Sequence, residues 1–200
     1  MSSEGRADIA IPEARLLVIS GASGSGKSTV VKHLAEDARV RPFVSVSATT
    51  RTARTGETHG REYLFLSREE FENLIRDGQF LEWAEVHGNL YGTPAGPVLD
   101  QVNDGRLAIL EIDVQGARQV KARVPNALFA FIHAPSIKEL ESRLRGRGTD
   151  DEAVVRKRLA NAVEEIGQAG WYDLQIVNDR LDRAVDELVA RWSERISGGA

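Results

Sequence analysis

The residues Gly21, Ala22, Ser23, Gly24, Ser25, Gly26, Lys27, Ser28 and Thr29 carry the densest chemistry in the sequence. Glycines at 21, 24 and 26 let a backbone take turns that a Cβ forbids, so that successive N–H groups converge on one anion at a helix N-terminus. The lysine that follows can reach the outer phosphates of a nucleoside triphosphate, and the Ser28 hydroxyl is a hard oxygen ligand for Mg²⁺. A Gly/Ser linker would share this composition. It would lack the apolar run Leu16, Leu17, Val18, Ile19 before the loop and the helical spacing of Val30, Val31 and Leu34 after it. Strand, glycine loop and helix in that order predict a phosphate-binding loop.

Other side chains with chemistry to offer are spread along the chain. Arg51 and Arg54 lie three apart in the polar segment Ser47 to Gly56. At the carboxyl end of a parallel strand two guanidinium forks would clamp a second phosphate group; on a plain loop they would serve solubility. Glu82 sits in Phe80 to Val86, which is apolar on both sides if extended and would put Glu82 on a face with Phe80, Ala84 and Val86. A carboxylate there needs donors, from a structural arginine or from a ligand. The strand expected over Leu107 to Asp113 ends in Glu111 and Asp113, either of which would hold Mg²⁺ directly or through water. Acidic strand ends also serve as helix caps. Arg143, Arg145 and Arg147 precede Gly148, with Arg156 and Arg158 downstream. That is the composition of a lid closing over transferring phosphates, or of a solvated helical hairpin.

These groups must be positioned by the elements between them. A helix is expected from Lys27 to about Ala38, closed by Arg39, Arg41 and Pro42, then a strand over Phe43 to Val46. A strand over Glu62 to Leu66 precedes a helix capped by Ser67 with Glu69 and Glu70 in its first turn. Asn89 to Pro94 reads as a turn ending in a helix-start signal at Thr93. A helix from Val114 to Arg123, a strand from Ala127 to Ile132, a helix opened by Pro135 and Ser136, another begun near Thr149 to Glu152, a strand from Tyr172 to Val177 and a helix from Leu181 to Ile196 complete the pattern. Strand and helix in alternation predict an α/β fold with a parallel sheet and right-handed crossovers.

Composition sets outer bounds. Two hundred residues, 42% hydrophobic, suit one sizeable core. A net charge of −4 gives no general attraction to nucleic acid or acidic membrane. Arginine supplies 21 of the 26 cations, which favours planar recognition of phosphate, although codon usage in a GC-rich genome is the better explanation for most of them. Cysteine is absent, which excludes disulfides and is compatible with a reducing cytoplasm. No run is long enough to span a membrane and no apolar leader is evident, so a cytoplasmic protein is expected.

From about Leu16 to Arg195 the chain resembles guanylate kinases. The resemblance rests on the glycine loop, on Ser47 to Arg51 with Arg54 and Gly56-Glu57, on Gly60-Arg61-Glu62-Tyr63, on the Glu82 strand, on Gly88 to Thr93, and on Arg145 to Thr149. It implies a P-loop NTPase-type parallel sheet flanked by helices, with an inserted GMP-binding subdomain and a helical lid. It also implies one domain over 14–196: core 14–46, 96–135 and 170–196, insertion 47–95 and lid 136–169, with tails 1–13 and 197–200 expected to be disordered. The implied activity is phosphorylation of GMP, and of dGMP, by MgATP. Residues matching Arg51, Arg54, Tyr63 and Tyr91 hold the GMP phosphate in that family; those matching Glu82, Ser47 and Thr93 read the guanine, which fixes the role of Glu82. Asp113 falls near GMP and, with Ser28, near the metal. Arg143, Arg147 and Arg158 match lid and hinge positions that contact ATP phosphates, and Asn178 falls near the adenine. No nucleic-acid, membrane or obligate protein partner is implied. Two rivals differ in class: a noncatalytic module that binds phosphorylated proteins, which an intact Gly26, Lys27 and Ser28 disfavour, and a P-loop kinase for another phosphorylated small molecule, which Ser47, Glu82 and Tyr91 disfavour.

Overall fold

A computed structural model describes residues 15–86, 88–146 and 152–197. Strand β1 (Leu16–Gly21) runs into α1 (Lys27–Glu36), and β2 (Phe43–Val44) follows. Then come β3 (Ala48–Thr49), β4 (Leu64–Phe65), α2 (Arg68–Arg76) and the pair β5 (Phe80–Val86) and β6 (Asn89–Pro94). The chain continues through α3 (Ala95–Asn103), β7 (Ala108–Glu111), α4 (Val114–Arg123), β8 (Leu128–His133), α5 (Ile137–Arg145), α6 (Glu152–Gly167), β9 (Leu174–Val177) and α7 (Leu181–Ser197).

The main sheet has the order β2-β7-β1-β8-β9, with every pair parallel. Its central strand is apolar without alternation because both faces are covered. Leu16 and Val18 pack with Phe129, Phe131 and the α4 residues Ala117 and Val120; Leu17 and Ile19 pack on α1 and on Trp192 of α7. Register places Glu111 of β7 beside Ile19 and Ile132 of β8 beside Gly21. The turn after β7 therefore opens next to the loop after β1, at the carboxyl edge where parallel sheets bind ligands.

Residues 48–94 build a second sheet, ordered β4-β3-β6-β5, in which β3 and β4 are parallel and the other pairs antiparallel. Helix α2 covers it. Ser67 and Glu70 form the capping box expected from the sequence, and Phe71 stacks on Phe80 with ring centroids 4.4 Å apart.

Several local expectations give way to tertiary structure. Asn89 to Pro94 is a strand rather than a turn, because pairing with β5 on one side and β3 on the other satisfies its backbone. Helix α1 ends at Glu36, two residues early; Arg39 bonds Asp37 and Asp186 instead of helix carbonyls. Phe80 does not share a face with Glu82. A bulge between them adds one residue to β5, so Phe80 joins Trp83 against α2 while Leu81 and Glu82 both turn toward α4. Ser197, expected in a disordered tail, is the last residue of α7. Residues 1–13, 198–200 and Arg147 lie outside the described residues.

Candidate active site

The glycine loop folds as its residue types require, with one difference. Gly24 and Gly26 have φ of 90° and 88°, and Gly26 is the N-cap of α1. Gly21 keeps an ordinary φ. Its reason is proximity: a Cβ there would stand 2.6 Å from the Ile132 carbonyl oxygen. The loop encloses a cavity of about 310 Å³ lined by Gly21, Ala22, Ser23, Gly24, Gly26, Lys27, Ser28 and Thr29, closed on the far side by Asp113 and Glu165. Ser25 lies behind it, fully buried.

The two strand-end carboxylates do different work. Ser28 Oγ donates to Glu111 Oε1 at 2.5 Å, and Lys27 Nζ is 3.3 Å from the same oxygen. Asp113 instead caps α4, its Oδ1 accepting from the Gly116 N–H at 2.8 Å. Ser28 and Glu111 thus offer two adjacent hard oxygens, and no group of three or more His, Cys, Asp or Glu gathers as a metal cage among the described residues. Such a donor set suits a cation that completes its shell with phosphate oxygens and water, as Mg²⁺ does.

A second cavity, of about 260 Å³, adjoins the first, and Lys27 and Asp113 border both. Ser47, Tyr63, Glu82, Tyr91 and Glu111 line it, with Ala84 and Val86 on the β5 side. Glu82 is 7% exposed, and Thr93 Oγ1 donates to its Oε1 at 2.7 Å. Burial pushes the Glu82 carboxyl up to about 7; the Thr93 hydrogen bond pulls it down and Asp113 pushes it further up. No arginine among the described residues is paired with it. The structural-arginine reading of this carboxylate is therefore replaced by one in which its remaining acceptor capacity faces the cavity.

At the rim the Arg51 guanidinium makes a two-pronged bond to Glu57, 3.0 Å on each prong, and lies 5.5 Å from the Tyr63 ring centroid. Tyr63 and Tyr91 meet edge to face. Arg54 is exposed, its backbone N–H donates to Glu57, and its side chain is not part of the cavity wall.

Helices α5 and α6 pack on the loop through Leu140, Leu144, Val155 and Ala162 around Ala22. Arg143 donates to the carbonyls of Ser25 and Asn178, 3.3 Å in each case, and the Asn178 amide donates to the Ser25 carbonyl at 2.9 Å. A Cβ at Gly26 would collide with that amide. Arg143 and Asn178 thus brace the back of the loop. Arg158 donates to the Ser23 hydroxyl at 2.9 Å.

Comparison with known proteins decides which family uses this arrangement. The profile of the guanylate kinase family matches residues 13–194. This chain belongs to the guanylate kinase family. A guanylate kinase from Rubrobacter xylanophilus is 50% identical over 185 residues, covering 92% of this chain and 96% of that protein. One from Synechococcus sp. is 49% identical over 176 residues, covering 88% and 96%. The crystal structure of guanylate kinase from Anaplasma phagocytophilum superimposes with a TM-score of 0.71 at 33% identity, covering 94% of this chain and 86% of that one. The P-loop fold read from the sequence is the guanylate kinase fold.

Two residues at this guanylate kinase site escape sequence reasoning. Glu165 of α6 is partly buried, accepts from the Ser23 N–H at 3.4 Å, and has its carboxyl pushed up by burial. The Ser23–Glu165 contact spans 142 positions, so no local pattern signals it. Gly116 reads as an ordinary helix interior; only the fold reveals that Glu82 lies against it.

Proposed function

We propose that this chain transfers the γ-phosphoryl group of ATP to GMP, and to dGMP, in one in-line step without a covalent enzyme intermediate. Family membership supports the reaction; the observation that carries the acceptor is Glu82, buried, paired with no arginine among the described residues, and bonded through Oε1 to the Thr93 hydroxyl. Guanine presents N1–H and its exocyclic amine as adjacent donors, and one carboxylate accepts both. Adenine has no such pair on that edge. A buried acceptor left without its donors is costly, so the wrong base is rejected by a large factor. Ser47 and Thr93 complete the guanine contacts in this reading, and Arg51, Tyr63 and Tyr91, with Arg54 from the rim, take the acceptor phosphate.

An acceptor phosphate oxygen forms a bond to the γ phosphorus as the bond from that phosphorus to the β–γ bridging oxygen breaks, and ADP leaves with the electron pair. The acceptor phosphate is already largely ionised at neutral pH, so no strong general base is required. In this reading Lys27 neutralises charge on the phosphates from the cavity wall, Arg147 and Arg158 add to it from the lid, Arg143 joins them on releasing the Ser25 and Asn178 carbonyls, and the loop N–H groups fix the position of the phosphates. Asn178 lies beside the loop on the adenine side in this reading. Ser28 and Glu111 would hold Mg²⁺, with Asp113 reached through water, and the ion would supply neutralisation of the charge on the transferring phosphates.

The reading assigns the reaction to purine nucleotide supply in the cytoplasm. No helix among the described residues is long and apolar enough to cross a membrane, which is compatible with that setting. ADP release measured with GMP, dGMP, AMP, CMP and UMP in parallel tests it. Turnover with GMP and dGMP at least about a hundredfold above AMP is expected. Equal turnover with AMP overturns the guanine assignment, and no turnover with any acceptor favours a binding module.

A further inference from the structure

Gly116 occupies the first turn of α4, where alanine is the better helix former. Its backbone does not ask for glycine, since its φ lies outside the left-handed region. What fills the space a side chain would take is Glu82. A methyl at Gly116 would stand 2.7 Å from Glu82 Oε2, 3.1 Å from Cδ and 3.3 Å from Cγ, closer at the oxygen than real Cβ contacts come.

Glu82 has little freedom to yield. Its Oε1 is tied to the Thr93 hydroxyl, its neighbour Leu81 is locked in the core beneath α4, and its open side is the cavity. The turn that carries Gly116 is fixed as well, because the Gly116 N–H is bonded to Asp113 and Gln119 one turn on exchanges hydrogen bonds with the Trp83 backbone of β5. Strand and helix are therefore clamped together on both sides of the contact.

We infer that Gly116 is a positioning residue for acceptor recognition: the missing side chain sets how deeply the Glu82 carboxylate sits in the cavity wall. This rests on the reading of Glu82 as the guanine acceptor. Adding one methyl drives the carboxylate away from Thr93 and into the space a base would fill, while the glycine loop, carried by other elements, is untouched.

A double-mutant cycle with Gly116→Ala and Glu82→Ala tests it. Gly116→Ala alone is expected to lower kcat/KM for GMP by tenfold or more with the KM for ATP within twofold of wild type. In the Glu82→Ala background the same change should alter kcat/KM for GMP by less than twofold. Thermal unfolding of the nucleotide-free proteins supplies a readout independent of turnover. Gly116→Ala should lower Tm when Glu82 is present, through the clash, and raise it when Glu82 is absent, through helix propensity. Equal losses in both backgrounds, no loss in the wild-type background, or a Tm shift of the same sign in both overturns the inference. If Glu82→Ala leaves the preference for GMP over AMP intact, the guanine reading fails, and the role of Gly116 in recognition fails with it; a sign reversal in Tm would still mark the steric contact, so the two failures are distinguishable.

Discussion

Glu82 is held out of water with one oxygen on a hydroxyl and a second carboxylate nearby, and its carboxyl sits at about 7 against an ordinary value of 4.5. The native protein therefore binds more protons than the unfolded chain between those values. The stabilisation is fully present below pH 4.5 and is lost as pH rises through 7, the total loss amounting to roughly 3 kcal/mol. Glu82→Gln removes the titration, so the nucleotide-free variant should melt several degrees above wild type at pH 8 and close to it at pH 5. Recognition has the opposite sign. In the proposed reading only the ionised Glu82 carboxylate accepts both guanine donors, so the KM for GMP of the wild type should rise as pH falls below 7. The GMP phosphate also titrates, but identically for both proteins, so the difference between their profiles isolates Glu82; the variant should also lose its preference for GMP over AMP. Lys27 carries a second prediction at this scale. It touches Glu111 and borders both cavities, so Lys27→Ala should cut kcat by at least about a hundredfold while circular dichroism and Tm stay near wild type. Retained turnover would mean that the loop is not the catalytic centre.

The second sheet depends on α2 as much as on its own pairing. Its apolar side is closed by Ala48, Phe71, Phe80 and Leu90, and Phe71 is fully buried with its ring stacked on Phe80, one residue before the bulge that turns Leu81 and Glu82 toward α4. Phe71→Ala leaves a cavity at that point and should cost about 3 to 5 kcal/mol, read from urea unfolding, with a larger rise in the KM for GMP than for ATP. A change that left both KM values equal to wild type would show that the bulge is fixed by the strands alone. The same region marks how far local pattern goes. The capping box of α2 and the caps of α4 and α5 were legible because Ser67, Asp113 and Ser136 bond to residues three positions on. Strand β6 was not, since Asn89, Gly92 and Pro94 are turn formers by composition and only two flanking strands outvote them. The bulge was invisible for the same reason: Phe80 to Val86 alternates as well without it, and the register of β6 and the contact with α4 decide which face each residue takes.

At the scale of the molecule, the site is a seam between two separately built halves. The loop cavity is lined by the β1–α1 loop, the start of α1 and Glu165 of α6, and the second cavity by strands from residues 48–94 with the end of β7, while Lys27 of α1 and the α4 cap Asp113 are common to both. The loop was legible because its chemistry is contiguous; its braces were not, because Arg143, Arg158, Glu165 and Asn178 reach Ser23 and Ser25 across more than a hundred positions of sequence. Lys27 and Asp113 border both cavities, so the two open onto a shared wall rather than facing apart. A ligand that fills both should then gain from linkage: once one nucleoside is seated, the other binds at the high effective concentration its tether imposes. Adenosine and guanosine joined through a polyphosphate bridge should bind about a hundredfold or more tighter than either nucleotide alone, and should compete with both ATP and GMP. Shortening the bridge should lose the gain abruptly, since a tether that cannot span the sites contributes nothing. Competition with only one substrate at every bridge length would mean that the cavities do not communicate, and in-line transfer between them would be ruled out with it.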